Sequence, residues 1–320
     1  MRERYQINDE LGCGGTAKVW RATDLVHGRE VALKQLILPP DPAHHESAIA
    51  RFRGEFYTLA ELKHPRVIAV FDYGVGAQGA PFYTMELLDG GDLREQLPVA
   101  WRTACRWVFD VCSSLALLHS RRLLHRDISP RNIRCTRDGR AKLIDFGAMT
   151  PMLAGGASVV GTPAYIAPES LYGSALDART DLFSLGATLY NALTGALPYP
   201  GRTFAQVRDA WQDEPAPPST RAPGIPPELD DLVLAMLCVE PSRRPQSAFD
   251  VMQRLAAVAS FEIHESDAVS QAYLSTPSLV GREDVLASLH KTLESAAAKQ
   301  GRGVLIRGAH GMGRSRILDA

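Results

Sequence analysis

His125-Arg126-Asp127-Ile128-Ser129-Pro130-Arg131-Asn132, followed by Leu143-Ile144-Asp145-Phe146-Gly147, is the part of this chain from which its fold and chemistry can be read. Asp127 precedes an amide side chain, Asn132, by five positions. Asp145 closes an apolar, strand-like run and is followed by Phe-Gly. A carboxylate held beside a hydroxyl nucleophile can orient it and accept its proton. An amide oxygen and a second carboxylate are hard donors of the kind that Mg²⁺ takes. One base and two metal ligands suit phosphoryl transfer, in which a protein contributes mainly positioning and charge neutralisation.

Upstream, Leu11-Gly12-Cys13-Gly14-Gly15-Thr16-Ala17-Lys18-Val19 lies between two strand-like runs. Glycines there let backbone N–H groups approach phosphate oxygens with no Cβ in the way. The pattern is GxGxxGxV with Ala17 in the place of the third glycine. Taken alone it fits a purely structural hairpin equally well. Lys34 follows in Val31-Ala32-Leu33-Lys34. An ammonium among apolar neighbours needs a partner. Glu55 on the next helix is the natural one and Glu61 the rival, while a surface lysine and a solvated glutamate are the bland alternative.

Taken in order, these motifs resemble a eukaryotic-type protein kinase, closest in style to the bacterial serine/threonine kinases, over residues 5–259. The resemblance implies an α+β, two-lobed fold: a five-strand sheet with one helix over 1–87, a mainly helical lobe over 88–259, and Mg-ATP between them. It implies that Leu11, Gly12, Cys13, Gly14, Gly15, Val19 and Ala32 enclose the nucleotide with Lys34 and Glu55. Met85 takes the gatekeeper position, and Met85, Glu86 and Leu87 meet adenine. Asp127 is the implied base, and Asn132 and Asp145 hold magnesium. Gly161-Thr162-Pro163-Ala164-Tyr165-Ile166-Ala167-Pro168-Glu169 resembles the substrate-facing segment, with Thr162 set to contact Asp127 and Glu169 to pair with Arg244. Asp181 matches the buried aspartate that anchors the catalytic loop.

Two positions depart from the family pattern. Serine/threonine kinases carry lysine two residues after the catalytic aspartate, and this chain has Ser129. Arg131 is expected to supply the missing charge from a different backbone position. Ala17 and Ser129 are what a competing reading, a nucleotide-binding scaffold without turnover, would rest on. Arg126 before Asp127 implies control by phosphorylation between Asp145 and Glu169, at Ser158 or Thr150.

The pattern also orders the elements. Strands are expected in residues 5–38, over Val67–Tyr73 and over Phe82–Leu87, and helices over Ala48–Leu62, Thr103–Ser120, Asp181–Leu193, Leu229–Met236 and Ala248–Val258. The proline-rich Pro215–Pro227 is read as a connection inside the second lobe. Residues 260–278 are a polar linker. Residues 279–320 contain Gly308-Ala309-His310-Gly311-Met312-Gly313-Arg314-Ser315, which resembles a phosphate loop with arginine for its lysine. With no second acidic strand after it, this piece is expected to be the opening of a signalling P-loop ATPase, a stub with no activity of its own.

The 320 residues carry a formal net charge of −1 with 45% hydrophobic and 22% charged residues. That balance argues against bulk attraction to nucleic acid or anionic membrane. The five cysteines form no CxxC pair, the N-terminus lacks an apolar signal region, and no run is long enough to span a bilayer. A cytoplasmic enzyme acting on proteins is expected, with its oligomeric state unread.

Overall fold

The computed structural model describes residues 4–76, 79–153, 159–201 and 203–261, with a few single positions beyond. The chain divides into two compact units, Met1–Tyr273 and Leu274–Ala320. The elements below lie in the first. The phosphate-loop-like run Gly308–Ser315 and the candidate phosphosite Ser158 lie outside the described residues.

The first lobe is an antiparallel sheet of β1 (Tyr5–Cys13), β2 (Ala17–Asp24), β3 (Arg29–Leu36), β4 (Val70–Val75) and β5 (Pro81–Met85), in spatial order β1-β2-β3-β5-β4. Between β3 and β4 runs helix α1 (His45–Glu61). The glycine run turns β1 into β2, closed by a bond from Gly14 N–H to the Ala17 carbonyl at 2.9 Å. The register places Val19 opposite Lys34 and Lys34 opposite Tyr83. Directly paired residues share a face of the sheet, so this row puts a cation, a phenol and the glycine-turn strand on one side. Helix α1 covers that side with Phe52, Phe56 and Leu59, and it buries Glu55 among them. The Phe52 and Phe56 rings lie 5.0 and 5.8 Å from Tyr83.

Among the boundaries that differ from the sequence expectation, three have a clear local cause. Helix α1 starts at His45 rather than Ala48, because Pro42–His44 already forms a turn capped by Asp41. The first of the later strands starts at Val70 rather than Val67. Residues 66–68 pair instead with the second lobe: Leu143 N–H reaches the Arg66 carbonyl at 2.9 Å and Ile68 N–H the Leu143 carbonyl at 3.2 Å. Strand β5 stops at Met85 because Glu86 N–H turns to the Ala69 carbonyl, 2.9 Å away.

The second lobe is built on helices α2 (Trp101–Ser120), α3 (Ala178–Thr194), α4 (Phe204–Ala210), α5 (Pro227–Met236) and α6 (Ala248–Ala259). Between α2 and α3 lie the short strands β6 (Leu123–Leu124), β7 (Ile133–Cys135), β8 (Ala141–Leu143) and β9 (Thr150–Pro151), which pair β6 with β9 and β7 with β8. Helix α3 is buried along nearly its whole length. Gly186 permits its packing, since a Cβ there would lie 2.7 Å from the Met236 side chain on α5. The proline-rich stretch lies against the lobe, with Pro218 and Ile225 buried and Ser219 N–H bonded to Asp230 at 2.9 Å.

His64 joins the two lobes. Its Nδ1 accepts from Arg66 N–H at 3.1 Å, and its Nε2 meets the Ser113 hydroxyl on α2 at 3.2 Å. Burial, with the Arg66 charge adding, lowers its pKa from 6.5 to about 4. The folded chain therefore resists a proton that the unfolded chain accepts. This site costs nothing above pH 6.5 and destabilises progressively as pH falls from 6.5 to 4, by up to about 3 kcal/mol. Chemical unfolding at stepped pH should show that acid-side loss. His64→Gln, which has no proton to gain, should be less stable at neutral pH but lose less stability between pH 6.5 and 4.

Candidate active site

Lys34 is the fixed point of the upper half. Its Nζ donates to Glu55 Oε1 at 2.8 Å and to Asp145 Oδ1 at 3.0 Å. The Tyr83 hydroxyl donates to the same Glu55 oxygen at 2.9 Å. Burial alone would push the ammonium's pKa down. Tyr83, Asp145 and Glu55 around it outweigh that and hold it well above the ordinary lysine value. The Lys34 charge in turn, against burial, keeps Asp145 below the usual carboxylate range. Of the two acids weighed for Lys34, the structure brings Glu55 to it; Glu61 is an exposed residue at the end of α1.

The lower half hangs from Asp181, which is fully buried on α3. Its carboxylate accepts from the backbone N–H groups of His125 and Arg126, each at 2.9 Å, and meets His119 Nε2 at 2.9 Å. Burial opposes ionisation, but His119 and these N–H donors prevail and its pKa is lowered. Arg126 adopts a left-handed backbone, φ 67°, and the chain then presents Asp127 to the cleft. The buried His125 ring sits edge-on to Phe146 at 4.9 Å, so the catalytic loop packs directly on the segment carrying Asp145.

Asp127 is held on both oxygens. Oδ1 accepts from the Thr162 hydroxyl at 2.9 Å and from Thr162 N–H at 3.0 Å. Oδ2 accepts from Asn132 Nδ2 at 2.8 Å and from Arg131 at 3.1 Å. The Asn132 amide also donates to the Asp127 carbonyl at 2.8 Å. Its nitrogen is thereby committed and its oxygen faces away as an acceptor. Thr162 can reach Asp127 because Gly161 precedes it. Gly161 has φ +112°, and a Cβ there would stand 2.8 Å from the Arg126 carbonyl. The substrate-facing segment is anchored below by Arg244, which is buried, forks onto Glu169 at 2.7 and 2.9 Å, and also donates to the carbonyls of Cys238, Arg179 and Val239.

The donor set suits magnesium. Asn132 offers an amide oxygen and Asp145 its second carboxylate oxygen, both hard ligands. Together with the Lys34 ammonium and the glycine turn they provide for a polyphosphate.

The family described as a protein kinase domain matches residues 5–255. The chain belongs to the protein kinase family. Among curated proteins, it is similar to the serine/threonine-protein kinase PknB of Mycolicibacterium smegmatis, 36% identical over 284 residues that cover 84% of this chain and 44% of that protein. PknB of Mycobacterium tuberculosis is 35% identical over 285 residues, covering 84% and 45%. A probable serine/threonine-protein kinase of Streptomyces coelicolor, SCO3848, is 38% identical over 261 residues, covering 77% and 38%. The chain thus spans less than half the length of these relatives.

The kinase cleft contains one partner that sequence reading missed. Tyr83 shares the Glu55 oxygen with Lys34, yet in sequence it reads as one more apolar strand residue. The hinge is also more constrained than expected. Glu86 N–H is spent on Ala69, and its carboxylate accepts from Lys142 at 2.6 Å and from Ala69 N–H at 2.8 Å. Thr150 lies in strand β9 opposite Leu124.

Gly161→Ala should separate Thr162 from Asp127, because neither the positive φ nor the 2.8 Å approach tolerates a methyl group. A misplacement of this kind at a reacting centre is expected to lower kcat roughly a hundredfold. Steady-state phosphotransfer would measure it, with thermal unfolding confirming that the variant is folded.

Proposed function

We propose that this chain is an ATP-dependent protein kinase that phosphorylates serine and threonine hydroxyls in bacterial signalling, itself among its substrates. The observation that carries the reading is the Asp127 carboxylate, fixed by Thr162, Asn132 and Arg131 below the Lys34–Glu55–Asp145 cluster. The names of the relatives support the choice of hydroxyl.

In this reading the glycine turn, Val19 and Ala32 enclose ATP, Met85, Glu86 and Leu87 border adenine, and Lys34 holds the phosphates. Bound magnesium, held by Asn132 and Asp145, would neutralise charge on the phosphate oxygens. The acceptor hydroxyl docks against Asp127, which orients it and takes its proton. The acceptor oxygen then bonds to the γ-phosphorus as the bond to the bridging β–γ oxygen breaks, and ADP departs. In a loose transition state this orientation matters more than basicity.

The positive charge that the family supplies at position 129 comes here from Arg131. Ser129 is buried, and its hydroxyl has no partner among the described residues. Arg131 is half-exposed at the cleft and already touches Asp127, so its guanidinium can meet the transferred group from that side.

We place this activity in the cytosol, where ATP is available, in keeping with five unpaired cysteines. Among the described residues no helix is long and apolar enough to cross a membrane. The domain limits we adopt are 1–259 for the kinase and 260–278 for a linker. Residues 279–320 are read as P-loop-like on their sequence alone.

Purified protein with Mg²⁺ and labelled ATP should become labelled on serine or threonine, and Asp127→Asn should abolish the label. Wild type as blank as Asp127→Asn would return the scaffold reading. Arg131→Ala should lower kcat by roughly 10²–10³, the usual effect of losing one electrostatic donor to the transition state. Arg131→Lys should recover only part of it. An unchanged kcat in Arg131→Ala would remove Arg131 from the machinery.

A further inference from the structure

Glu55 receives two donors on one oxygen, and the two differ in how free they are to leave. The Lys34 ammonium carries three N–H groups on a flexible stem. It directs two of them to Glu55 Oε1 at 2.8 Å and to Asp145 Oδ1 at 3.0 Å. The Tyr83 phenol has one O–H, given to the same Glu55 oxygen at 2.9 Å. Tyr83 is 1% exposed, lies opposite Lys34 on the neighbouring strand, and packs its ring on those of Phe52 and Phe56. Burial, against the pull of the Lys34 charge, holds the phenol well above its ordinary pKa, so it remains a donor.

A glutamate has many rotamers, and a mobile donor fixes one of them only while it stays. When a polyphosphate enters, its oxygens compete with Glu55 for the ammonium. The phenol is not drawn off in this way, because it is neutral, buried and locked by its ring packing. Glu55 then keeps its place against the sheet, and Lys34 can turn toward phosphate without releasing helix α1. We propose that Tyr83 is a positioning residue: its hydroxyl holds Glu55, and through it helix α1 and the Lys34 ammonium, in the arrangement that receives the nucleotide phosphates.

The helix is thereby tied to two strands at once, to β3 through Lys34 and to β5 through Tyr83. Moving Glu55 out of the site would break both bonds and leave a buried carboxylate without donors. The holding of Glu55 stands on this geometry alone, while its consequence for phosphates and turnover rests on the kinase reading.

Tyr83→Phe keeps the ring and its packing and removes only the O–H. Hydrogen exchange on the full, nucleotide-free chain reads the first step. Amides of α1 around Glu55 should exchange roughly tenfold faster than in wild type, the scale of one hydrogen bond to a charged group. Tyr73→Phe removes a hydroxyl from the same aromatic stack, but not one that reaches Glu55, and should leave them unchanged. Binding of a non-hydrolysable ATP analogue with Mg²⁺, set against adenosine, reads the second step. Tyr83→Phe should weaken the analogue roughly tenfold and leave adenosine unchanged, because adenosine brings no phosphate for Lys34 to meet. In turnover, KM for ATP should rise and KM for the protein acceptor should not. In a chain already carrying Glu55→Ala, Tyr83→Phe should add nothing further to any of these readouts. Unchanged exchange in α1, equal weakening of analogue and adenosine, or a full additional effect beside Glu55→Ala would overturn the proposal. If wild type binds no analogue, the kinase reading fails, and the exchange series still decides whether Tyr83 holds Glu55.

Discussion

A buried carboxylate is among the most expensive objects a fold can contain, and Asp181 is tolerable because His119 and two backbone donors come to it. The backbone donors are the N–H groups of His125 and Arg126. The dependence runs both ways. The left-handed backbone at Arg126 costs on the order of 1–2 kcal/mol for a residue with a side chain, and it persists because Asp181 holds both neighbouring amides. Asp181 sits on a helix buried along nearly its whole length, so the catalytic loop is referred to the packed interior of the lobe. Everything that touches Asp127 inherits that reference: Asn132 by its double donation, Thr162 through the gap that Gly161 leaves beside the Arg126 carbonyl.

The upper half obeys a different economy. Lys34, Glu55 and Tyr83 are buried together, and removing Lys34 or Glu55 would leave an uncompensated charge that costs several kcal/mol. The cluster is therefore better suited to fixing a geometry than to adding stability. It ties helix α1 to the sheet through Glu55 and the sheet to the second lobe through Asp145. Asp145 has a left-handed backbone, φ 57°, and is itself exposed toward the cleft.

What could be read in the sequence divides along the same line. Asp127, Asn132, Asp145, Lys34 and Glu55 were legible because their chemistry admits few residue types and their spacing follows from a loop and two strands. Asp181 and the Glu169–Arg244 pair were legible only through resemblance, since in isolation they look like ordinary surface charges. Tyr83 was not legible, because a tyrosine on a buried strand reads as core until the register sets it opposite Lys34. Helix α4 escaped for want of length: its seven residues make about two turns, too few for a 3.6-residue period to emerge. The start of β4 was misplaced because Val67 and Ile68 are apolar for the sake of β8 in the other lobe, a partner that local pattern cannot reveal.

The exchange of Ser129 for a lysine can now be understood in terms of space. Position 129 is enclosed, with 1% of its surface exposed, and a small neutral residue fills it without a charge to solvate. The turn Pro130–Asn132 packs against Leu93–Glu95, and its middle residue points into the open cleft. A guanidinium there stays hydrated until substrate arrives and is long enough to reach Asp127. On the proposed reading, placing the charge at Arg131 moves its desolvation from folding to substrate binding. A residue on an exposed turn can also leave Asp127 when an acceptor hydroxyl needs that oxygen, which a cation packed at position 129 could not do as freely. The relocation thus fits a site whose base is held by four donors in the free state, one of which, Arg131, is half-exposed and able to give way.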